Sequence, residues 1–257
     1  MELNTINNID CIEYLDSCEP SIFDLVIADP PYFEICGEFD FIWKSLDEYL
    51  AWCQRWIKGC HKVLKPNGTF YLWGTIGYNK GYPLFRLAEW VEQNNLFKVI
   101  NWITQRNSRG RGTKKGFVHS REELVFMAKG DKYIWNPIYL DEPTNRKDLG
   151  FDGKPRKNKF KRCTDVWADI TEASQSSKER FYLSDGSAFP TVKSLKLCER
   201  IIKASSNEGD LVYIPFGGSG SEAVSCILNK RNFILNEISA IYIDEIIAPR
   251  IKSYKTP

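Results

Sequence analysis

Histidine is scarce in this sequence, and its cysteines show no metal-binding spacing. The 257 residues include two histidines, His61 and His119, and eight cysteines, no two of which form a C-x-x-C pair. A structural zinc site is not expected, because such sites draw on clustered Cys and His ligands. Scattered free thiols are typical of a reducing cytoplasm.

Long apolar runs and a strong net charge are missing as well. No stretch is long enough to cross a membrane, and the first ten residues lack the basic and apolar parts of a signal peptide. We therefore expect a cytoplasmic protein. The net charge of +2 is too small to indicate a nucleic-acid partner, so the distribution of charge has to carry that argument.

Strand-like and helix-like patterns alternate along the first half of the chain. FDLVIA (23–28) is a continuous apolar run, typical of a central parallel strand. Ser45 and Glu48 form a capping box that predicts a helix start, and apolar residues then recur at helical spacing as far as Cys60. Further strands are predicted at 69–73, 97–104 and 123–128, and a further helix at 84–94. This alternation predicts an α/β sheet with helices on both faces.

The alternation fails over residues 131–187 and then resumes. That segment is polar, rich in turn formers and without a clean period of either kind. A helix (192–206), a strand (210–214), a glycine turn, another helix, a strand (232–237) and a final helix to about Ile251 follow. We expect one core, formed by 1–130 and 188–257, interrupted by a basic insertion at 131–187.

The glycine turn PFGGSG (215–220) lies between a strand and a helix. Glycines let the backbone approach a ligand closely, and the helix start offers free N–H groups. Glu237 ends the next strand, where an acidic residue commonly accepts hydrogen bonds from ribose hydroxyls. No Gly-Lys-Ser/Thr follows the turn, so a nucleoside cofactor without a pyrophosphate fits better than a P-loop ligand.

The apolar run 23–28 ends in DPPY, residues 29–32. One reaction that such a group of residues would suit is alkylation of the exocyclic amine of a nucleobase. That amine is a poor nucleophile, because its lone pair is delocalised into the ring. Two acceptors against its N–H bonds, the Asp29 carboxylate and the Pro30 carbonyl, would make that lone pair available. Pro30 and Pro31 fix the backbone, and Tyr32 offers a flat face on which a flipped base can stack, worth ~1–3 kcal/mol.

These motifs resemble those of DNA amino-methyltransferases that use S-adenosylmethionine. The order, with DPPY first, a variable basic region next and the glycine turn last, is similar to the β class of that family. Five further blocks carry the resemblance, DCIEYL (10–15), VLKPNGTFYLW (63–73), REELVFMAKG (121–130), DVW (165–167) and ERIIKASSNEGDLV (199–212). The resemblance implies a Rossmann-like methyltransferase sheet with permuted motif order. It also implies a small type II modification enzyme acting on N6 of adenine by base flipping, without a metal.

The resemblance also implies roles for individual residues. Asp29, Pro30, Pro31 and Tyr32 would be catalytic. The cofactor would be bordered by Asp10, Cys11, Asp29, Lys193, Phe216, Gly218, Ser219, Gly220 and Glu237, with Asp10 and Cys11 near its adenine, Glu237 at its ribose and Lys193 at its methionine carboxylate. Two departures stand out: Ile214 replaces the Asp usual before Pro215, and FPTVKS (189–194) is a degenerate form of the family's His-Pro-Thr-Gln-Lys-Pro.

Two basic stretches, 105–116 and 154–162, predict contact with DNA phosphates. We expect the first to be a mobile loop. The predicted contacts are Arg106, Arg109, Arg111, Lys114, Lys115, Lys154, Arg156, Lys157, Lys159, Lys161 and Arg162. The alternative is that both stretches are solvated loops without a partner.

The expected partner is double-stranded DNA, and no membrane partner is expected. A homodimer and a cognate restriction endonuclease are left open. So are three other functions: a cytosine-N4 DNA methyltransferase, an RNA amino-methyltransferase and a DNA-binding relative that has lost catalysis. Ile214 motivates the last of these.

Overall fold

The fold was derived from a computed structural model that describes residues 2–35, 38–76, 81–111, 115–144, 158–170 and 179–255. In its first part lie β1 (Thr5–Asn7), α1 (Cys11–Ser17), β2 (Phe23–Ala28), α2 (Leu46–Val63), β3 (Leu64–Gly74), α3 (Pro83–Gln93), β4 (Lys98–Arg111) and β5 (His119–Ala128). In its second part lie β6 (Tyr139–Pro143), β7 (Phe160–Arg162), β8 (Val166–Trp167), α4 (Leu195–Ser205), β9 (Leu211–Ile214), α5 (Ser221–Leu228), β10 (Asn232–Asn236), α6 (Ala240–Tyr242) and α7 (Ala248–Lys255).

Eight of these strands form one sheet in the order β1-β10-β9-β2-β3-β5-β4-β8. All neighbouring pairs are parallel except those of β5, which runs antiparallel to β3 and to β4. The chain moves from β2 outward in one direction and from β9 outward in the other. The centre of the sheet, between β2 and β9, is thus a topological switch point, the usual place for a ligand in such folds.

Helices cover both faces of the sheet, as the sequence predicts. Val26 and Ala28 of β2 lie in a buried cluster with residues of α1, α2 and α3, whereas Leu25 and Ile27 lie in a second cluster with residues of α4, α5 and α7. The alternation follows from the period of two in a strand. Because β2 is buried on both faces, five of its six residues are apolar, and the exception, Asp24, is paired with Lys65.

Several elements differ from their predicted bounds. The strand predicted at 69–73 begins earlier, at Leu64, directly after α2, and a register shift opposite β2 accommodates residues 65–68. Residues 105–111 belong to β4 rather than to a loop. They pair with β5 as far as Arg111 opposite His119, with a register shift after Arg106.

The insertion 131–187 contains short strands that its sequence does not predict. β6 and β7 form a separate antiparallel pair, and β8 joins the main sheet beside β4. The backbone N–H of Thr104 in β4 also donates to the carbonyl of Asp165, at 2.8 Å. Strands of two to five residues are too short to leave a period in the sequence.

The seven cysteines within the described ranges are free thiols, and Cys36 lies outside those ranges. No group of His, Cys, Asp and Glu among the described residues could hold a metal ion. Across the same ranges, every helix is too short or too polar to cross a bilayer.

Candidate active site

Asp29 follows the last residue of β2, at the carboxyl edge of the sheet, and each of its carboxylate oxygens has a partner. Oδ1 accepts a hydrogen bond from the Tyr32 hydroxyl at 2.8 Å, and Oδ2 lies 3.0 Å from Nζ of Lys193. A carboxylate has about four acceptor positions on its two oxygens. Acceptor capacity therefore remains on both oxygens while the side chain is held in a fixed orientation.

The backbone after Asp29 is fixed by two further contacts. The Tyr32 N–H donates to Oδ1 of the buried Asp40 at 2.6 Å, and the Tyr49 hydroxyl donates to the Pro31 carbonyl at 3.0 Å. No described residue donates to the carbonyl of Pro30. Within the described part of the chain, the Pro30 carbonyl, which the sequence predicts as the second acceptor, thus has no donor, whereas the Pro31 carbonyl has one.

Tyr32 is held at both ends, by its N–H and by its hydroxyl. Burial, followed by the nearby Asp29 carboxylate, raises the pKa of Tyr32 well above its usual value. The phenol is therefore protonated and acts as the donor to Asp29. Its ring is fixed beside the carboxylate.

Lys193 lies between two carboxylates rather than beside one. Its Nζ is 3.0 Å from Asp29 Oδ2 and 3.1 Å from Glu122 Oε2, and it lies 4.9 Å from the centre of the Trp73 ring. Burial alone would lower the pKa of this lysine, but Asp29 and Glu122 more than offset that effect and hold the pKa above its ordinary value. Lys193 is therefore a buried ammonium that links the DPPY motif to β5.

The glycine turn after β9 lies at the same edge of the sheet. A Cβ on Gly217 would come within 2.5 Å of Leu235 Cδ2, and Gly220, the N-cap of α5, has φ +75°. The positive φ of Gly220 favours glycine there, and a side chain at position 217 would force Leu235 to move. A Cβ on Gly218 would meet nothing closer than Phe189 Cζ at 3.9 Å, so the space above this residue is open.

Glu237 closes the other side of this turn. Its Oε2 accepts from the Gly218 N–H and its Oε1 from the Ser239 N–H, both at 2.9 Å. Burial raises the pKa of the Glu237 carboxyl. The acidic residue at the end of β10 is thus locked to the glycine turn and keeps spare acceptor positions on both oxygens.

Ser219 is held from below by Arg250 of α7, a residue that sequence reasoning missed. Nη1 of Arg250 donates to the Ser219 carbonyl at 2.9 Å and to Ser221 Oγ at 2.9 Å.

Next to this contact, the buried Glu222 accepts from Cys198 Sγ at 3.6 Å. Burial, followed by the Asp29 carboxylate, raises the pKa of Glu222 to about 7. The glycine turn and the DPPY motif are thus within electrostatic reach of each other.

The remaining predicted cofactor residues serve local structure as well. Oδ1 of Asp10 caps α1 by accepting from the Ile12 N–H at 2.8 Å, and Cys11 is buried. Phe216 packs edge-on against Trp56, at 5.1 Å between ring centres. Ile214 is fully buried in the cluster under α4 and α5, which suits an apolar side chain.

The predicted DNA contacts are described only in part. Arg106, Lys115 and Lys159 are exposed, Lys161 pairs with Glu142 at 2.7 Å, and Arg162 is exposed on β7. Lys114, Lys154, Arg156 and Lys157 lie outside the described residues, as do the side chains of Arg109 and Arg111. The first stretch extends the end of β4 that lies near Glu122, because Gln105 pairs with Glu122.

Glu122, Asp40, Tyr49 and Trp73 also contact the DPPY motif or Lys193, and none was predicted. The signal for Glu122 was its place in the block 121–130, at the end of β5 that lies opposite the last residues of β3. The other three lie on a 3₁₀ turn (Glu38–Asp40), on α2 and at the end of β3. Their proximity depends on tertiary structure, which one sequence does not reveal.

Comparison with known proteins agrees with this geometry. Residues 23–248 match the family described as DNA methylase. The chain is 32% identical to the type II methyltransferase M.BamHI of Bacillus amyloliquefaciens, with 98% of the chain and 58% of M.BamHI covered. It is 30% identical to M1.MboII of Moraxella bovis (95% of each covered) and 30% identical to the DNA adenine methyltransferase YhdJ of Escherichia coli K12 (94% of the chain and 81% of YhdJ).

Two solved structures have the same fold. The PvuII DNA methyltransferase, cytosine-N4-specific, superposes with a TM-score of 0.69 at 19% identity, covering 98% of this chain and 86% of that one. The M1.HpyAVI–SAM complex gives a TM-score of 0.61 at 22% identity, covering 98% and 99%. At these identities the likeness shows the architecture alone. The match over residues 23–248, with the curated relatives, shows that this chain belongs to the DNA methylase family, whose members methylate amino groups of bases in DNA.

Proposed function

We propose that this protein transfers a methyl group from S-adenosylmethionine to the N6 amino group of adenine in double-stranded DNA. The observation that carries the proposal is the Asp29 carboxylate, oriented by Tyr32 and Lys193 at the sheet edge that also bears the glycine turn. Membership of the DNA methylase family supports methyl transfer to DNA as the reaction. The arrangement of side chains at this edge supports the residues that we propose for it.

The turn and its neighbours fit the cofactor. Glu237 offers acceptors for two ribose hydroxyls, the space above Gly218 is open, and Phe216 presents a ring at the same turn. When bound, S-adenosylmethionine supplies an electrophilic methyl group on a positively charged sulfur. The resemblance implies Lys193 for the methionine carboxylate, but its three donors are engaged by Asp29, Glu122 and the Tyr32 hydroxyl, so we do not propose it for that group.

Asp29 and the Pro30 carbonyl act on the target amine. Each accepts one N–H of the amino group, which draws the nitrogen toward tetrahedral geometry and exposes its lone pair for attack on the methyl carbon. The nitrogen would form the new N–C bond with its lone pair, and the electron pair of the broken C–S bond would stay on the cofactor sulfur. The nitrogen then releases one proton, which Asp29 accepts at the oxygen already bound to that N–H.

Tyr32 forms one wall of the base pocket. Its ring is fixed at both ends, so a flipped base can stack on it without ordering a mobile side chain, which keeps most of the ~1–3 kcal/mol that stacking provides. The same phenol orients Asp29. Stacking and polarisation of the amine are therefore coupled through one residue.

The hairpin of β4 and β5 supplies the proposed contact with DNA phosphates. Arg106 and Lys115 are exposed on it, and the side chain of Phe117 is 98% exposed. A solvated aromatic ring beside cationic side chains suits insertion between base steps as the target base leaves the helix. We propose that this hairpin approaches the DNA while residues 131–187 read the sequence.

The test is incubation of the purified protein with isotopically labelled S-adenosylmethionine and DNA, followed by digestion to nucleosides. We expect label in N6-methyldeoxyadenosine. Asp29→Ala should abolish transfer while leaving calorimetric affinity for the cofactor largely intact, and Asp16→Ala, at an exposed carboxylate paired with Arg55, should match the wild type. Equal loss of transfer and of cofactor affinity in Asp29→Ala would count against a purely catalytic role.

Methylation of N4 of cytosine is the second candidate, because the PvuII enzyme shares this fold. The same acceptor pair would polarise either amine. Among DNA amino-methyltransferases, DPPY is the commoner form of the motif in the adenine enzymes. The similar protein YhdJ is a DNA adenine methyltransferase. Both points favour adenine. Label in N4-methyldeoxycytidine would overturn the adenine assignment, and label in a ribonucleoside would overturn DNA as the substrate.

A further inference from the structure

We infer that Glu122 is a positioning residue of the active site. Its carboxylate anchors Lys193, so that Lys193 orients Asp29 while leaving acceptor positions on the Asp29 carboxylate for the substrate amine. The inference rests on the proposed role of Asp29. It adds a residue that belongs neither to the DPPY motif nor to the glycine turn.

The contacts of Lys193 are evenly divided. Its Nζ lies 3.0 Å from Asp29 Oδ2, 3.1 Å from Glu122 Oε2 and 3.4 Å from the Tyr32 hydroxyl. An ammonium has three donors, so these three partners use all of them. Lys193 is 8% exposed, which leaves it little access to water as a substitute.

The even division has a chemical consequence. Paired with Asp29 alone, a buried ammonium would form a closed ion pair and direct its hydrogen bonds to the oxygens that the substrate amine needs. With a second carboxylate at equal distance, the ammonium is shared, and the three charges sum to −1. Asp29 therefore keeps the negative character that an acceptor for the amine requires.

Glu122 also fixes where the ammonium lies. Lys193 precedes α4, Asp29 follows β2 and Glu122 is in β5, so the bridge joins three separate elements. The ring of Trp73, in β3, lies 4.9 Å from Nζ on another side. When the amine of the base engages Asp29, Glu122 keeps Lys193 from following that carboxylate out of alignment.

The adjacent Glu123 provides a matched comparison. It is buried and accepts from Trp102 Nε1 at 2.8 Å and Thr104 Oγ1 at 2.9 Å, and Arg121 Nε lies 3.0 Å from its Oε1. All of these contacts lie within β4 and β5. Successive residues of a strand point to opposite faces, so Glu123 supports the hairpin while Glu122 faces the active site.

The experiment compares Glu122→Gln with Glu123→Gln in the full-length chain. We expect Glu122→Gln to lower kcat by about 100-fold, as a small misplacement of reacting groups does, with KM for DNA and thermal stability nearly unchanged. Glu122→Asp, which keeps the charge, should retain more activity than Glu122→Gln. Glu123→Gln should lower thermal stability while kcat per folded molecule stays near wild type.

The pH profile separates positioning from a general structural role. Among the residues that the structure describes, the titratable groups that interact with Lys193 are Asp29, Glu122, Tyr32, Cys198 and Glu222. Removing the Glu122 charge removes one of the two interactions that raise the pKa of Lys193. The alkaline limb of kcat should therefore move to lower pH in Glu122→Gln and stay in place in Glu123→Gln.

A readout independent of methyl transfer completes the test. Acylation of Lys193 by an amine-reactive reagent, followed by peptide mass spectrometry, should be faster in Glu122→Gln than in the wild type, because more of the amine is neutral. Wild-type kcat, pH profile and acylation rate in Glu122→Gln would overturn the inference. Absence of any methyl transfer by the wild type would instead refute the proposed function, and the acylation rates would still decide the role of Glu122.

Discussion

The hydroxyl of Tyr49, on α2, donates a hydrogen bond to the carbonyl oxygen of Pro31, whereas no described residue donates to the preceding carbonyl, that of Pro30. In the proposed mechanism, α2 thereby determines which peptide oxygen is available to the target amine. Tyr49 also packs against Phe33 and Trp43, so its own position is well defined.

Tyr49→Phe should therefore affect both stability and catalysis. Losing a hydrogen bond of this kind costs about 1 kcal/mol of the free energy of unfolding. We expect kcat to fall several-fold because the Pro30–Pro31 peptide is less well oriented, with cofactor affinity unchanged. Chemical denaturation and steady-state kinetics measure the two effects. Tyr71→Phe is the control, since the Tyr71 hydroxyl bonds Ser205 Oγ at 2.7 Å, away from the motif. A similar loss of kcat in both variants would contradict this account.

Glu237→Gln should weaken cofactor binding. The uncharged amide is a poorer acceptor for ribose hydroxyls and for the Gly218 N–H, and we expect Kd to rise by one to two decades, as for loss of a hydrogen bond to a charged group. Isothermal calorimetry measures this. Glu245→Gln, at a carboxylate that bonds Ser184, is the control and should leave Kd unchanged.

The same carboxylate predicts how cofactor affinity depends on pH. Burial raises the pKa of Glu237, so it takes up a proton at a higher pH than an ordinary glutamate. Affinity should fall as the pH drops through that raised pKa, because the protonated carboxyl is a poorer acceptor for the ribose hydroxyls. Glu237→Gln should remove the dependence. An unchanged acid limb in this variant would assign the effect to another group.

Burial of Glu222 predicts that the folding stability of the protein falls as the pH rises. Its folded-state pKa of about 7 exceeds the unfolded value, so the folded state holds an extra proton between about pH 4.5 and 7 and loses relative stability as pH rises through that window. Glu222→Gln removes the penalty. It should raise Tm at pH 8, by an amount equivalent to a few kcal/mol at most, and change Tm little at pH 4. Thermal denaturation at the two pH values measures this, and an equal shift at both would refute the linkage.

The charges on the β4–β5 hairpin predict a salt-dependent effect on DNA binding. The double variant Arg106→Ala/Lys115→Ala should weaken binding to all sequences alike and lower the slope of log K against log salt by ~1.8, as for two lost phosphate contacts. Lys98→Ala is the control, because Lys98 begins the same strand at its other end and pairs with Asp131. Fluorescence anisotropy at several salt concentrations gives the slopes. Equal slopes for both variants would remove this hairpin from the interface.

Local signals in the sequence predicted the core of the fold well. The hydroxyl of Ser45 caps α2 by accepting from the Glu48 N–H at 3.2 Å, which confirms the predicted helix start and one half of the capping box. The Glu48 carboxylate, however, accepts from the Lys44 N–H rather than from that of Ser45. The apolar runs became β2 and β9, and the turns that follow them lie at one sheet edge because the strands are parallel. Such features depend on neighbours in sequence, where propensity and periodicity act.

Long-range contacts could not be predicted in this way. Lys193 was assigned to the cofactor alone, and nothing in its surroundings in the sequence indicates that its ammonium lies between Asp29 and Glu122. Arg250 resembles any other residue of a terminal helix until its guanidinium is found under Ser219. These contacts arise when separate elements pack together. One sequence carries no record of which elements do so.

The pairing of β8 with β4 bears on any attempt to transplant specificity between relatives. Val166 and Trp167 of β8 lie opposite Thr104 and Gln105 of β4. Backbone hydrogen bonds therefore join the segment proposed to read the DNA to the sheet that carries Glu122. A chimera that exchanged the whole of 131–187 would replace β8 and disrupt its pairing with β4. A chimera whose second junction lies before Asp165 would keep this pairing. Under the proposed function, the β4–β8 register therefore sets the distance between the bases that are read and the base that is modified.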